Sequence, residues 1–173
     1  MSSSASTGPT RLNSEIDPVD DRPTMPLLAF VPPPPTGLIA EAFGTPDTRR
    51  LKVTVTSFGF KYGIPVDADF VADMRFLPNP YWIPELRPGT GKDAEVADYV
   101  MSQAGAAEFL DGYVPVLEGV AGGYRREGKR FMTVAIGCTG GKHRSVAMSE
   151  EIARRLSGDG YVTSATHRDL GRE

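Results

Sequence analysis

Phe131-Met132-Thr133-Val134-Ala135-Ile136-Gly137-Cys138-Thr139-Gly140-Gly141-Lys142-His143-Arg144-Ser145 is the stretch that decides the fold. Phe131 to Gly137 is an apolar run of the type that forms a buried strand. Two glycines then turn the chain. From Ser145 to Leu156 the spacing is helical, with Val146, Ile152 and Leu156 facing inward. A strand that feeds a glycine turn and then a helix brings unpaired backbone N–H groups together at the positive end of the helix dipole. Glycines let those groups converge on a ligand without a Cβ in the way. Lys142, His143 and Arg144 add cationic groups at the same mouth, and Thr139 and Ser145 add hydroxyls. Arg144 can hold a phosphate with two parallel bonds. Three adjacent basic residues at a helix start oppose the dipole unless an anion is expected there. The bland alternative is a tight turn beside a solvated basic trio. The loop is read as an anion site.

Two sharper chemistries compete for this loop. A Walker A motif needs G-x4-G-K-S/T, and that spacing occurs nowhere in the chain. Hydrolysis of ATP or GTP is therefore not expected. Cys138 to Arg144 does fit C-x5-R, followed by Ser145, as in the phosphate loop of cysteine-dependent phosphatases. In those enzymes a thiolate attacks phosphorus while the arginine holds the oxygens. Gly137 stands where they usually carry histidine, and the nearest candidate for a general acid is Asp93. The phosphatase is kept as the alternative function. Cys138 is read as a small buried residue at a strand end.

Working outward, Leu51, Val53 and Val55 alternate with Lys52, Thr54 and Thr56, which is strand period. Ser57 to Gly63 reads as a loop. Phe70 to Leu77 suggests a second strand. Pro78, Pro80, Pro84 and Pro88 make the following stretch, through Gly91, a long ordered loop. Asp93 is placed to cap a helix that includes Val96, Tyr99 and Val100. A further helix is expected over 106–126, with Phe109, Leu110, Tyr113, Leu117 and Val120 on one face and a kink or break at Pro115. Gly158 and Gly160 end the helix after the anion loop, and Tyr161 to Thr166 is a last strand. The order β-β-α-α-β-α-β predicts a layered α/β domain with a small mixed or parallel sheet and at least one crossover. Ligands of such sheets sit beyond the carboxyl ends of the strands, where Cys138 to Ser145 falls.

Composition bounds the rest. The chain has 173 residues, and its formal charge of -3 excludes a bulk polycation. One cysteine permits no internal disulfide, and two histidines with it cannot complete a zinc site. Neither a secretory signal nor an apolar run long enough for a membrane helix is found, so a cytoplasmic protein without membrane contact is expected. Residues 1–48 are rich in proline and serine and include Pro32-Pro33-Pro34-Pro35. They are read as a disordered tail with a polyproline II segment, and 49–173 as the folded domain. Leu27 to Val31 is a short apolar patch within that tail.

Four segments together are similar to one family. They are Ser57-Phe58-Gly59-Phe60-Lys61-Tyr62-Gly63, Asp73-Met74-Arg75-Phe76-Leu77-Pro78-Asn79-Pro80, Leu86-Arg87-Pro88-Gly89-Thr90-Gly91, and the loop from Gly137 to Ser145. Their order and content resemble the C-terminal domain of the RapZ family of bacterial RNase adapter proteins, over roughly residues 50–173. The resemblance implies a sensor and adapter in bacterial regulation, with no catalytic residue, metal or cofactor. The implied ligand is a phosphorylated amino sugar or a nucleotide sugar. The implied partners are a small RNA and an endoribonuclease, with self-association left open. The resemblance places the pocket around Thr139, Gly140, Gly141, Lys142, His143, Arg144 and Ser145, with Lys61 opposite. Asp73, Arg75, Tyr81 and Cys138 are supporting candidates.

Three departures matter. The Walker A domain that normally precedes this domain has no counterpart in residues 1–48. Tyr81 stands where the family's N-P-H-W has histidine. The ending His167-Arg168-Asp169-Leu170-Gly171-Arg172-Glu173 is mixed in charge, whereas the RNA-binding branch ends in a basic run. RNA binding is therefore the weaker inheritance.

Other residues carry open alternatives. Asp73 and Arg75 lie two apart on the expected strand, as a sugar contact or a plain ion pair. Lys61 is read as a phosphate ligand, with a cation–π contact as the alternative. Tyr81 and Trp82 are read as packing under the proline-rich loop, with stacking on a sugar or base as the alternative. Arg125 to Arg130 is read as a solvated helix end and His167 as a surface histidine.

Overall fold

The computed structural model describes residues 50–156 and 160–172. The expected proline-rich tail and Gly158 lie outside the described residues. The elements are β1 (Leu51–Gly59), a 3-10 turn (Phe60–Tyr62), β2 (Phe70–Asp73), a second 3-10 turn (Pro80–Trp82), α1 (Ala94–Met101), α2 (Ala106–Arg126), β3 (Phe131–Cys138), α3 (Arg144–Arg155) and β4 (Tyr161–His167). The sheet has four parallel strands in the order β2-β3-β1-β4. The chain is an α/β layered domain, as its order of elements implies.

The central pair is β1 and β3, in register from Lys52 opposite Phe131 to Gly59 opposite Cys138. Their carboxyl ends therefore finish side by side. Leu51, Val53 and Val55 of β1, Met132, Val134 and Ile136 of β3, Leu110 and Leu117 of α2, and Met148 and Ile152 of α3 form one buried cluster. That shared core puts α2 and α3 over the same face. Lys52 and Phe131 alternate to the other face and are exposed there, and Thr54, Thr56 and Thr133 are half-buried.

Several boundaries differ from the sequence reading. Ser57, Phe58 and Gly59 continue β1, because the parallel partners Ile136, Gly137 and Cys138 extend just as far. The second strand stops at Asp73. Beyond it Met74 N–H bonds the Gly137 carbonyl at 2.7 Å and the chain turns away. Arg75 is thus off the strand, and its guanidinium folds back on Asp73 at 2.6 Å. Asp93 precedes α1, but its side chain makes no cap bond to the helix. Its Oδ2 accepts instead from the Thr90 N–H at 2.7 Å, bracing the end of the proline-rich loop. Pro115 lies inside α2, which runs undivided over 21 residues. The inward face of α2 is Ala106, Leu110, Val114, Leu117 and Ala121, with Phe109 and Tyr113 packed at its margin.

Candidate functional site

The anion loop begins where β3 ends, and α3 begins at Arg144. Its turn is held against the end of β1. Gly141 has φ +80, and a Cβ on it would lie 2.7 Å from the Gly59 nitrogen. A Cβ on Gly59 would lie 2.7 Å from the Gly140 carbonyl carbon. Only glycine at both places allows that approach. Beneath them lies Asp169, fully buried. Its Oδ2 accepts from the Gly59 N–H at 2.8 Å, and Arg168 and Arg172 pair with its carboxylate. Burial pushes this carboxyl up, but the bonds from Arg168 and Gly59 outweigh that and hold it below the ordinary range. Asp169 escaped the sequence reading, since a carboxylate in a mixed-charge chain ending carries no local signal of burial.

The other wall comes from the proline-rich loop. Gly91 N–H bonds the Lys142 carbonyl at 2.9 Å. The His143 ring is buried, and its Nε2 donates to the Arg87 carbonyl at 3.2 Å. Burial pushes the His143 imidazole below its ordinary range, so the neutral ring is favoured. Pro80 to Trp82 turns at the rim, with Asn79 Oδ1 accepting from the Tyr81 N–H at 3.3 Å.

A cavity of about 620 Å³ lies between the walls. Among the proposed site residues it is lined by Lys61, Tyr81, Cys138, Thr139, Gly140, Lys142, His143 and Arg144. Asn79, Trp82 and Arg87 complete the lining, and none of these three was singled out as a site residue from sequence. Gly141 and Ser145 lie behind the surface, against Gly59 and Cys138. Asp73 and Arg75 pair with one another outside the cavity, and the Arg75 guanidinium lies 4.0 Å from the Phe60 ring centre. Lys61 meets both of its readings. Its Nζ is 4.7 Å from the Tyr62 ring centre, and the side chain also lines the cavity opposite Gly140.

Arg144 is the centre of the site. It is 5 % exposed, and one terminal nitrogen donates to the Leu77 carbonyl at 2.9 Å. The other approaches Thr139 Oγ1 at 3.4 Å. Its Nε is buried with no partner. Burial lowers the guanidinium pKa, while Cys138 and Asp73 act in the opposite direction. Cys138 is buried, as expected. Its Sγ lies 3.1 Å from Ser145 Oγ and accepts from the Gly141 N–H at 3.3 Å.

Two readings made from sequence need correction. Tyr81 and Trp82 do not pack under the loop. They are 47 % and 73 % exposed, because the proline-bearing turn holds them at the rim. His167 is not a surface histidine. Its Nδ1 lies 2.8 Å from Ser57 Oγ and its Nε2 2.9 Å from Glu150, and its side chain is largely buried.

Fold and site together define a parallel α/β domain with an anion-binding loop at the carboxyl ends of its central strands. The RapZ C-terminal domain profile matches residues 51–171, and the chain belongs to that family. It is 83 % identical over 138 residues to a nucleotide-binding protein of Nocardioides sp., covering 80 % of this chain and 46 % of that protein. It is 65 % identical over 136 residues to a nucleotide-binding protein of Rhodococcus erythropolis, covering 78 % and 46 %. With a nucleotide-binding protein of Streptomyces coelicolor the identity is 67 % over 124 residues, covering 72 % and 42 %. The chain thus spans about half the length of these curated relatives. Among the described residues no helix is long and apolar enough to cross a membrane, and no group of potential ligands could hold a metal ion.

Proposed function

We propose that this domain binds a phosphorylated small ligand, an amino-sugar phosphate or a nucleotide sugar, and works as a metabolite-sensing module in bacterial regulation. The carrying observation is Arg144. A guanidinium that is 5 % exposed, with a buried Nε lacking a partner, leaves a charge-assisted bond unmade. A phosphate oxygen in the adjoining cavity supplies it. Lys61, Thr139, the Gly140 backbone, Lys142 and the start of α3 contribute further donors to the same anion. Gly141 and Ser145 shape the loop from behind. The nucleotide-binding names of the relatives agree with a ligand of this class. The test is thermal melting with hexosamine 6-phosphate, a UDP-sugar and inorganic phosphate. Each that binds raises the midpoint of the parent and not of Arg144→Ala. If none raises it at millimolar concentration, the proposal fails.

Binding without turnover is part of the proposal. Cys138 Sγ has the hydroxyl and amide neighbours that a phosphatase thiolate would use, which is what favours that second reading. Against it, none of the described residues lining the cavity is a carboxylate that could protonate a leaving group. One end of Arg144 is also committed to the Leu77 carbonyl. Aryl phosphate turnover that Cys138→Ser abolishes would overturn the binding reading. The family's small-RNA and endoribonuclease role has no comparable support here, since Arg168 and Arg172 both pair with Asp169. An RNA shift falling steeply with salt would restore it.

A further inference from the structure

We infer that the ligand carries a planar base that stacks on Trp82, so that the site takes a nucleoside diphosphate or its sugar conjugate and not a bare sugar monophosphate. The inference rests on the phosphate site proposed above and adds a second subsite at the opposite wall. Trp82 lines the same cavity as Arg144, yet it is 73 % exposed. An indole left in water is a large apolar surface without a partner, and its flat face suits a base.

The ring is braced for that task. Tyr81 meets it edge-on, with centres 5.4 Å apart and planes at 85°. Tyr81 in turn lies under the Arg87 guanidinium at 4.9 Å, and Arg87 Nε donates to the Tyr81 carbonyl at 2.8 Å. The turn that carries both aromatics begins with Pro80 and is tied by Asn79. Little side-chain freedom is then lost when a base settles on the indole.

Charge points to the same ligand class. Lys61, Arg87, Lys142 and Arg144 are four cationic side chains on the cavity wall, and no carboxylate is among its described lining residues. A phosphate monoester carries about two negative charges at most. Four cations spread from the anion loop to the aromatic rim suit a longer anion, such as a diphosphate that runs between them. The cavity volume of about 620 Å³ falls within the range of about 300–1,000 Å³ usual for ligands larger than a single sugar.

Trp82 is the sole tryptophan of the chain, so its fluorescence reports this wall alone. The experiment titrates the full chain with UDP-N-acetylglucosamine, UDP, glucosamine 6-phosphate and inorganic phosphate, following Trp82 emission and the melting midpoint. The two nucleotides are expected to quench the emission and to bind at least tenfold more tightly than the other two. Trp82→Ala should lose that tenfold advantage and leave binding of inorganic phosphate unchanged. Trp82→Phe should keep most of the advantage. Nucleotides that bind no more tightly than inorganic phosphate, or Trp82→Ala weakening all four probes equally, would overturn the stacking subsite while the phosphate site stands. If none of the four shifts the midpoint, both proposals fall.

Discussion

Arg144 and Asp169 show how much two buried charges do here. Arg144 joins the anion loop to the Leu77 carbonyl and still keeps an unpartnered Nε beside the cavity. Arg144→Lys is expected to retain a point charge but lose the two-bond grip, weakening phosphate binding by about tenfold or more in calorimetric titration. Asp169 anchors the other side through the Gly59 N–H. Asp169→Ala leaves that buried N–H without an acceptor, and urea unfolding should show a loss of about 2–3 kcal/mol. Glu151 gives a pH prediction. Hydrogen bonds from Arg154 and Arg155 push its carboxyl down to about 2, from an ordinary 4.5. A carboxyl depressed in the folded state stabilises fully above its unfolded pKa. That stabilisation is lost as pH falls from about 4.5 toward 2. Glu151→Gln should therefore cost about 1 kcal/mol at pH 7, held small by the water around Arg154, and should flatten the acid limb of the stability curve. A variant whose acid limb matches the parent would contradict it.

At the scale of elements, the strand–loop–helix was legible because its signals are local. An apolar run, paired glycines and a basic helix start lie within fifteen residues of sequence. The partners of that loop are distant in the chain and left no comparable trace. Gly59 reads as a loop glycine, yet it ends β1 so that Gly140 and Gly141 can lie against it. Trp82 sits among prolines, and only the 3-10 turn decides that it faces the cavity and not the core. The strand after Phe70 was read too long because Met74 and Leu77 are buried without belonging to the sheet. Gly91 tests how the two walls are joined. A Cβ there would overlap the backbone of His143 and Ala147. Gly91→Ala is expected to cost about 1–3 kcal/mol in denaturant unfolding and to blunt the ligand response as well. By contrast Leu117→Ala in α2, deep in the core, should cost about 2–5 kcal/mol and leave the ligand response intact below the lowered midpoint.

For the molecule as a whole, the α/β class and the parallel crossover followed from the order of elements, and family membership from the motifs those elements carry. Sequence did not reveal how the four motifs meet. In the fold they converge on one cavity at the carboxyl ends of β1 and β3, with the proline-rich loop as its far wall. The chain spans about half of its curated relatives, so what the domain does for a longer protein is a separate matter from what it binds. The central claim concerns binding alone, and one measurement reaches it most directly. Thermal unfolding of the parent and of Arg144→Ala is followed with and without a phosphorylated ligand at about a hundredfold excess over its Kd. The parent should gain about 2.7 kcal/mol, seen as a rise of several degrees in Tm, and the variant should gain nothing. An unchanged parent, or a variant that gains as much as the parent, would contradict the account.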